Sequence, residues 1–113
     1  DIIFSLYVRQ ANADNKGYIL CYCGVHVRWE DSDASHYIYR SILSLRYDER
    51  NVHPSCRRCN RFQGGNLSAY ALFLESKYGP GILQTLEREK HKIIKNFPYA
   101  ELIEKYTNLI NSR

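Results

Sequence analysis

Four cysteines give the chain its clearest chemical signal, because they form two close pairs separated by a polar stretch. The pairs are Cys21 with Cys23 and Cys56 with Cys59. This pattern indicates either two disulfides or one metal site. The sequence shows no secretory signal, so we expect a reducing compartment in which the thiols bind a structural Zn²⁺. His26 is a reserve ligand if the C-x-C pair cannot bring both of its sulfurs to one ion.

Polar residues between and after the cysteine pairs suit the hydrolysis of a phosphodiester. A neutral histidine accepts a proton from water near pH 7, and His36 is the candidate base. Amide and carboxylate oxygens suit Mg²⁺ or Mn²⁺, and Asn60, directly after Cys59, is the candidate ligand for that catalytic ion. The alternative interpretations are a solvent-facing histidine beside a strand and an asparagine that caps a helix.

Arginines cluster at the second cysteine pair, although the chain as a whole is only mildly basic. The net charge of +4 is a weak indication of nucleic-acid binding. Arg57, Arg58 and Arg61 flank the cysteines, and Arg40 follows His36 in the sequence. We expect these arginines to contact the DNA backbone, which adds affinity and salt sensitivity without reading sequence. The alternative is an ordinary solvated charged face.

The rest of the sequence must supply the elements that position these groups. Residues 2–13 have helical spacing with Asp1 as N-cap, and residues 18–24 (YILCYCG) read as a short strand. Residues 25–52 follow no clean period, and Pro54 is expected to halt any regular element before the second cysteine pair. Apolar stripes predict C-terminal helices whose inward faces are Leu67, Tyr70, Ala71, Leu74 and Tyr78, then Ile82, Leu83, Leu86, Ile93 and Ile94, then Leu102, Ile103, Tyr106, Leu109 and Ile110.

The central run of the sequence resembles a known family. The residues C-G, D-x-S-H-Y and R-Y-D-E-R-N-V-H-P-S-C-R-R-C-N-R-F-x-x-G-N, with the later Y-G, are similar to the NinG (Rap) recombination endonucleases of lambdoid and related phages. The likeness covers residues 4–86, and C-x-x-C-N-R-F-x-x-G-N is its specific signature. The cysteine plan also resembles endonuclease-VII-type Holliday-junction resolvases. Both likenesses imply a metal-dependent DNA endonuclease of the His-Asn-Asn (HNH-like, ββα-metal) type.

The resemblance implies a role for each matching residue. His36 falls on the base of the family, and Asn60 falls on its metal-binding asparagine. Asn51 falls on the middle asparagine of the HNH pattern, which bridges backbone groups across a loop and holds the base. The positions that match zinc ligands are Cys23, Cys56 and Cys59.

Two positions depart from the pattern of the family. Its first cysteine pair is C-x-x-C, so Cys21 in the C-x-C of this chain must serve from a neighbouring position. Ser35 stands directly before His36, where nucleases of this fold often carry a metal-binding aspartate. Asp33 is the candidate replacement, and a water molecule is the alternative. His53 is open between a second metal ligand, a phosphate contact and a structural imidazole.

We therefore expect an α+β fold in one domain, residues 1–113, with a zinc-stapled ββα-metal (HNH) core. An N-terminal helix would occupy residues 1–17, the zinc-bound core 18–66, and helices 67–113. The expected activity is cleavage of branched or single-stranded phage recombination intermediates in the cytoplasm of the host bacterium, and the expected partner is branched, single-stranded or duplex DNA. The alternatives are a non-catalytic zinc-stabilised DNA-binding module and a restriction- or homing-type HNH nuclease. A homodimer would suit two symmetric cuts, and no membrane association is expected.

Overall fold

Two small antiparallel sheets form the middle of the chain, and helices precede and follow them. The computed structural model describes residues 1–112. One sheet pairs β1 (Tyr18–Leu20) with β2 (His26–Arg28), and the other pairs β3 (Ser32–His36) with β4 (Val52–Cys56). The helices are α1 (Ile2–Ala11), α2 (Leu43–Arg46), α3 (Leu67–Tyr78), α4 (Ile82–Glu89) and α5 (Tyr99–Asn111). The α+β class is confirmed.

The N-terminal helix is shorter than the sequence predicts. It ends at Ala11, where the side-chain amide of Asn12 donates to the carbonyl of Val8 at 2.8 Å. Asp1 is the N-cap residue, as predicted, but its side chain makes no capping hydrogen bond and its carboxylate pairs with Arg46. The helix buries Phe4 and Val8, so it is part of the core and leaves its polar face beside β3.

Pro54 lies inside β4, and the prediction that it halts regular structure was wrong. The amide of Tyr37 donates to the carbonyl of Asn51 at 2.9 Å. This bond fixes which residue pairs of the antiparallel β3–β4 ladder are hydrogen-bonded and which are not. In this register Pro54 faces Ala34 in a non-hydrogen-bonded pair. The N–H that proline lacks would point away from β3, so the strand continues through Pro54 without losing a ladder hydrogen bond.

The C-terminal helices bury narrower stripes than their sequences suggest. Four predicted core residues are buried: Tyr70 and Leu74 on α3, and Ile82 and Leu86 on α4. Helix α3 also ends before Gly79, as predicted.

Other residues of the predicted stripes are not buried. Helix α4 ends at Glu89, so Ile93 lies beyond it with 87% of its surface exposed. On α5, which packs on α1, Tyr106 is buried, but two residues predicted to face inward are exposed: Ile103 and Leu109. A helix covered on one side by one partner buries only one stripe.

Three apolar clusters hold these elements together, and the third contains three of the four cysteines. The first joins α2, α3 and α4 around Leu45, and the second joins α1, β4 and α5 around Val52. The third consists of Ile19 with Cys21, Cys56 and Cys59. This third cluster is too small to hold β1 and β4 together by burial alone. Among residues 1–112, no helix is long and apolar enough to cross a membrane.

A candidate functional site beside a candidate four-cysteine metal centre

The four cysteines converge to a geometry that can hold a metal such as zinc. Their sulfurs all lie within 4.8 Å of one another, and the Sγ atoms of Cys23 and Cys56 are 3.8 Å apart. Zinc bound tetrahedrally at about 2.3 Å from each sulfur would space the sulfurs about 3.8 Å apart, whereas a disulfide needs about 2.05 Å. All four are free thiols. The donor set and the spacing therefore fit a structural Zn²⁺.

Both cysteines of the C-x-C pair reach this centre, so the reserve ligand is not required. After β1 the chain turns tightly: the amide of Gly24 donates to the carbonyl of Cys21 at 2.8 Å, with Gly24 at φ 97°. This left-handed conformation suits glycine, and the turn brings Cys21 and Cys23 to the same side. His26 follows the turn on β2, where it is exposed and lies outside the group.

His36 is the last residue of β3, where its Nε2 makes a hydrogen bond and its Nδ1 is left to accept a proton. Its Nε2 lies 3.0 Å from the backbone carbonyl of Arg46. Because a carbonyl only accepts, Nε2 carries the proton and Nδ1 keeps its lone pair. Burial is the main cause that lowers the pKa of His36, and the positive charges of Arg40 and Arg46 lower it further, against the opposing effect of the carbonyl. The ring is therefore neutral at pH 7, as a general base requires.

Asn51 fixes the loop that presents the carbonyl to His36. It is fully buried, and its Oδ1 accepts from the amide of Ile38 at 2.8 Å. Its Nδ2 donates to the carbonyls of Ile38 at 2.9 Å and of Leu45 at 3.2 Å. Leu45 is next to Arg46 in the chain, so these bonds position the carbonyl that orients the His36 ring. Asn51 thus acts through the backbone, and its side chain is not part of the cavity wall.

Asp33 and Asn60 meet at the start of the turn that follows β4. Asn60 lies in a π-helical turn, Arg58–Phe62, and its Nδ2 donates to Oδ2 of Asp33 at 3.0 Å. Arg61 donates to both oxygens of the same carboxylate. Partial burial alone would raise the pKa of Asp33, but the hydrogen bonds from Arg61 and Asn60 outweigh it, and the pKa is lowered. The carboxylate is therefore ionised at pH 7, and its oxygens with the Asn60 amide oxygen are a donor set suited to Mg²⁺ or Mn²⁺.

Two adjoining open cavities bring the candidate base and the candidate metal ligands to one surface. His36 and Asn60 line a cavity of about 380 Å³. Asp33 and Asn60 line a second, more polar cavity of about 440 Å³. Asn60 borders both, so the two are continuous at its side chain. The other residues that they share are Ser5 and Ala34.

The four predicted DNA-binding arginines lie in three places. Arg40 lines the cavity of His36, while Arg57 and Arg61 line the cavity of Asp33. Arg58 instead lies beside Cys23, where a hydrogen bond to the sulfur and the thiolate charges raise the pKa of its guanidinium. Three arginines thus face the candidate site, and Arg58 belongs to the cysteine centre.

Sequence reasoning missed the contribution of α1 and Tyr39 to these cavities. Ser5 and Arg9 lie four residues apart on α1, and the Nε of Arg9 donates to the Ser5 hydroxyl at 3.2 Å. Both line the cavity of Asp33, and Tyr39 lines that of His36. The signal available in the sequence was the polar i, i+4 pair on an otherwise apolar helix.

His53 and Ser35 lie in the core behind the site. Tyr70 donates its hydroxyl to the carbonyl of Ser35 at 2.7 Å, so it accepts from Nδ1 of His53 at 3.0 Å. Tyr78 then donates to Nε2 of His53 at 2.7 Å. Both ring nitrogens are satisfied within the core, which favours a structural imidazole. The Ser35 hydroxyl meets that of Tyr22 at 3.2 Å, so this side chain points away from the cavity of His36.

We expect His53 to make the fold sensitive to acid. Burial, and then the charge of Lys77, lower the pKa of His53 from 6.5 to about 3. Its stabilising effect is complete above pH 6.5 and is lost as the pH falls towards 3, because the unfolded chain takes up the proton first. Between pH 7 and pH 5 the free energy of unfolding should fall by about 2 kcal/mol on account of this group.

Denaturant unfolding of the wild type and of His53→Gln at several pH values measures this effect. The cysteine centre titrates in both proteins, so the difference between their pH profiles isolates His53. Parallel profiles from pH 7 to 5 would contradict the assignment.

Comparisons with known proteins place these features in a phage family. A family model described as "Bacteriophage Lambda NinG protein" matches residues 2–112. "Protein ninG" of Escherichia phage lambda is 35% identical over 91 residues, which cover 72% of this chain and 43% of that protein. "Protein ninG" of Salmonella phage P22 is 38% identical over 61 residues, 53% of this chain and 30% of that protein. The chain thus spans less than half the length of these curated relatives. No solved structure gave a significant match.

Proposed function

The chain belongs to the NinG family, and from this premise we propose that it is a metal-dependent DNA endonuclease of the HNH type. The observation that carries the proposal is the shared cavity of His36 and Asn60. His36 offers a neutral ring with a free Nδ1, and Asn60 offers a side-chain amide whose Nδ2 donates to the Asp33 carboxylate. A base and a hard-cation site on one open, arginine-lined surface suit a phosphodiester substrate.

Each residue of the site has a separate role in the proposed hydrolysis. Nδ1 of His36 accepts the proton of the attacking water, while its Nε2–H stays on the Arg46 carbonyl and holds the ring in place. Asp33 and Asn60 would hold the Mg²⁺ or Mn²⁺ ion, which supplies positive charge to the scissile phosphate and to the leaving oxygen. Arg40 binds flanking phosphates by charge.

The order of the elements also supports the proposal. A histidine at the end of β3, the return strand β4 and a helical turn carrying Asn60 form a β–β–helix unit. The cysteine centre joins the turn after β1 to the end of β4 and to the turn that carries Asn60, and its cysteines line neither cavity. We propose that this unit is the ββα-metal core of an HNH nuclease, acting on branched or single-stranded recombination intermediates inside the infected bacterium.

One observation favours a second function, a non-catalytic zinc module that binds DNA. The side chain directly before His36 is Ser35, which is buried against Tyr22 and offers no carboxylate to the cavity. The Asp33 carboxylate, on the adjoining cavity, is already paired with Arg61. Such a module would bind DNA with steep salt dependence and cut it in no metal.

Cleavage of a labelled four-way junction, a splayed fork and plain duplex separates the two functions. We expect cutting of the branched substrates in Mg²⁺ or Mn²⁺, none in EDTA, and a loss of about 100-fold in kcat for Asn60→Ala, since the ion supplies several kcal/mol of charge stabilisation. Asn108→Ala, at an exposed position of α5, is the matched control. Salt-sensitive binding without cutting in either metal would support the zinc module instead.

Two symmetric cuts at a junction would call for two copies of the site, so we also propose a homodimer on DNA. Light scattering of the protein with the junction would test it, and one copy per junction would contradict it.

A further inference from the structure

In the ion pair of Arg61 with Asp33, the carboxylate is much less exposed than the guanidinium. The Nε of Arg61 donates to Oδ2 of Asp33 at 2.8 Å, and its Nη2 donates to Oδ1 at 2.9 Å. The Asp33 side chain is only 14% exposed and lies on β3, whereas the Arg61 side chain is 54% exposed. The carboxylate is therefore fixed, while the guanidinium has room to leave it.

Arg61 and a divalent ion would need the same oxygens. An ionised carboxylate accepts through about four lone-pair directions, and Arg61 and Asn60 already take three of them. Arg61 thus neutralises the charge that a metal ion would neutralise. Arg57 is a poorer substitute, because its Nε is 3.9 Å from Oδ1 of Asp33 and makes an ion pair without a second contact.

The same cavity wall offers Arg61 another anion. Arg9, Arg57 and Arg61 line the cavity of Asp33, which continues at Asn60 into the cavity of His36. A phosphodiester entering along this wall presents two non-bridging oxygens that share one negative charge, and a guanidinium binds phosphate with the same bidentate geometry as carboxylate. Arg61 can therefore exchange its carboxylate partner for a phosphate without losing its hydrogen bonds.

We propose that Arg61 is an exchangeable partner of Asp33 that couples metal binding to DNA binding. Without DNA, Arg61 holds the carboxylate and weakens binding of the divalent ion. When a phosphodiester takes Arg61, the carboxylate becomes free for the ion. Because such coupling is reciprocal, the ion also strengthens DNA binding. This inference rests on the proposed function, and it assigns Arg61 a positioning role in that site.

Mn²⁺ binding to the zinc-loaded protein tests the exchange without relying on cleavage. The EPR signal of free Mn²⁺ gives the affinity, and Asp33→Asn identifies the binding that belongs to this site. We expect Arg61→Gln to bind Mn²⁺ about fivefold more tightly than the wild type, since an ion pair whose arginine is exposed contributes up to about 1 kcal/mol. Arg88→Gln, at an exposed position of α4, is the matched control and should bind as the wild type does.

The coupling itself is measured in a His36→Ala background, which keeps the DNA uncut. A short single-stranded oligonucleotide should tighten Mn²⁺ binding about fivefold, after subtraction of Mn²⁺ bound by the oligonucleotide alone, and Arg61→Gln should remove this gain. Equal Mn²⁺ affinity in the wild type and Arg61→Gln would overturn the exchange and leave the nuclease proposal standing. Mn²⁺ binding that Asp33→Asn does not change would overturn the exchange and the assignment of Asp33 together. Arg61-dependent Mn²⁺ binding without any DNA cleavage would retain the exchange and overturn the nuclease proposal.

Discussion

His36→Ala should lower the rate of metal-dependent DNA cleavage by about 10³-fold, because a positioned general base contributes about 10²- to 10⁴-fold. The ring is held by the Arg46 carbonyl and is neutral at pH 7, so its loss removes the proton acceptor and leaves the arginines in place. Single-turnover cleavage of a four-way junction measures the rate, and a filter-binding assay should show unchanged DNA affinity. His91→Ala, an exposed histidine after α4, is the matched control.

The pH profile of the wild type adds a second readout for His36. Because the pKa of His36 is lowered, the base stays active below the pH at which an ordinary histidine would be protonated. The acidic limb of the single-turnover rate should therefore fall at a pH below 6.5. Cleavage by His36→Ala within tenfold of the wild type, with the same acidic limb, would show that another group is the base.

Removal of the metal from the cysteine centre should unfold the chain. Structural zinc sites contribute roughly 10–16 kcal/mol of apparent binding free energy, which is comparable to the whole stability of about 5–15 kcal/mol of a domain. Cys59 is fully buried in the cluster that joins β1 to β4. We expect Cys59→Ser to bind less than one zinc per chain and to lose cooperative thermal unfolding, monitored by circular dichroism.

Chelation of the wild type is the companion experiment, since it changes no residue. A strong chelator should remove the zinc and the cooperative transition together, and added zinc should restore both. Mg²⁺ added alone should restore neither, which separates the structural ion from the catalytic one. A cooperative transition at the wild-type temperature in zinc-free protein would show that the four thiols do not hold the fold.

Local chemistry explains which parts of the site were predictable. Two cysteine pairs predict a metal centre independently of how the segment between them folds, because metal-ligand chemistry depends on residue type. The pairing of Arg61 with Asp33 was not predictable in the same way. It depends on the register of β3 against β4 and on the π-helical turn after Cys56, and no local pattern in the sequence contains either.

Two other predictions failed, and the role of His53 was left open, where contacts between segments distant in the sequence decided the outcome. Pro54 continues a strand because its missing N–H faces away from β3, a matter of register. Ile93 belongs to an apolar stripe in the sequence, but α4 ends before it. His53 was left open between metal, phosphate and packing roles, and its environment comes from Tyr70 and Tyr78 on α3.

The position of the cysteine centre has a consequence for the order in which the chain folds. Cys23 and Cys56 enclose β2, β3, the loop with α2, and nearly all of β4. The pairing of β3 with β4 must bring together residues separated by a long loop, and the entropy lost in closing that loop precedes any gain from the contacts. Zinc bound by the thiols of the unfolded chain would close a larger loop, residues 23–56, that contains this one. The pairing of β3 with β4 would then take place within an already closed segment, and we expect its rate to depend on zinc.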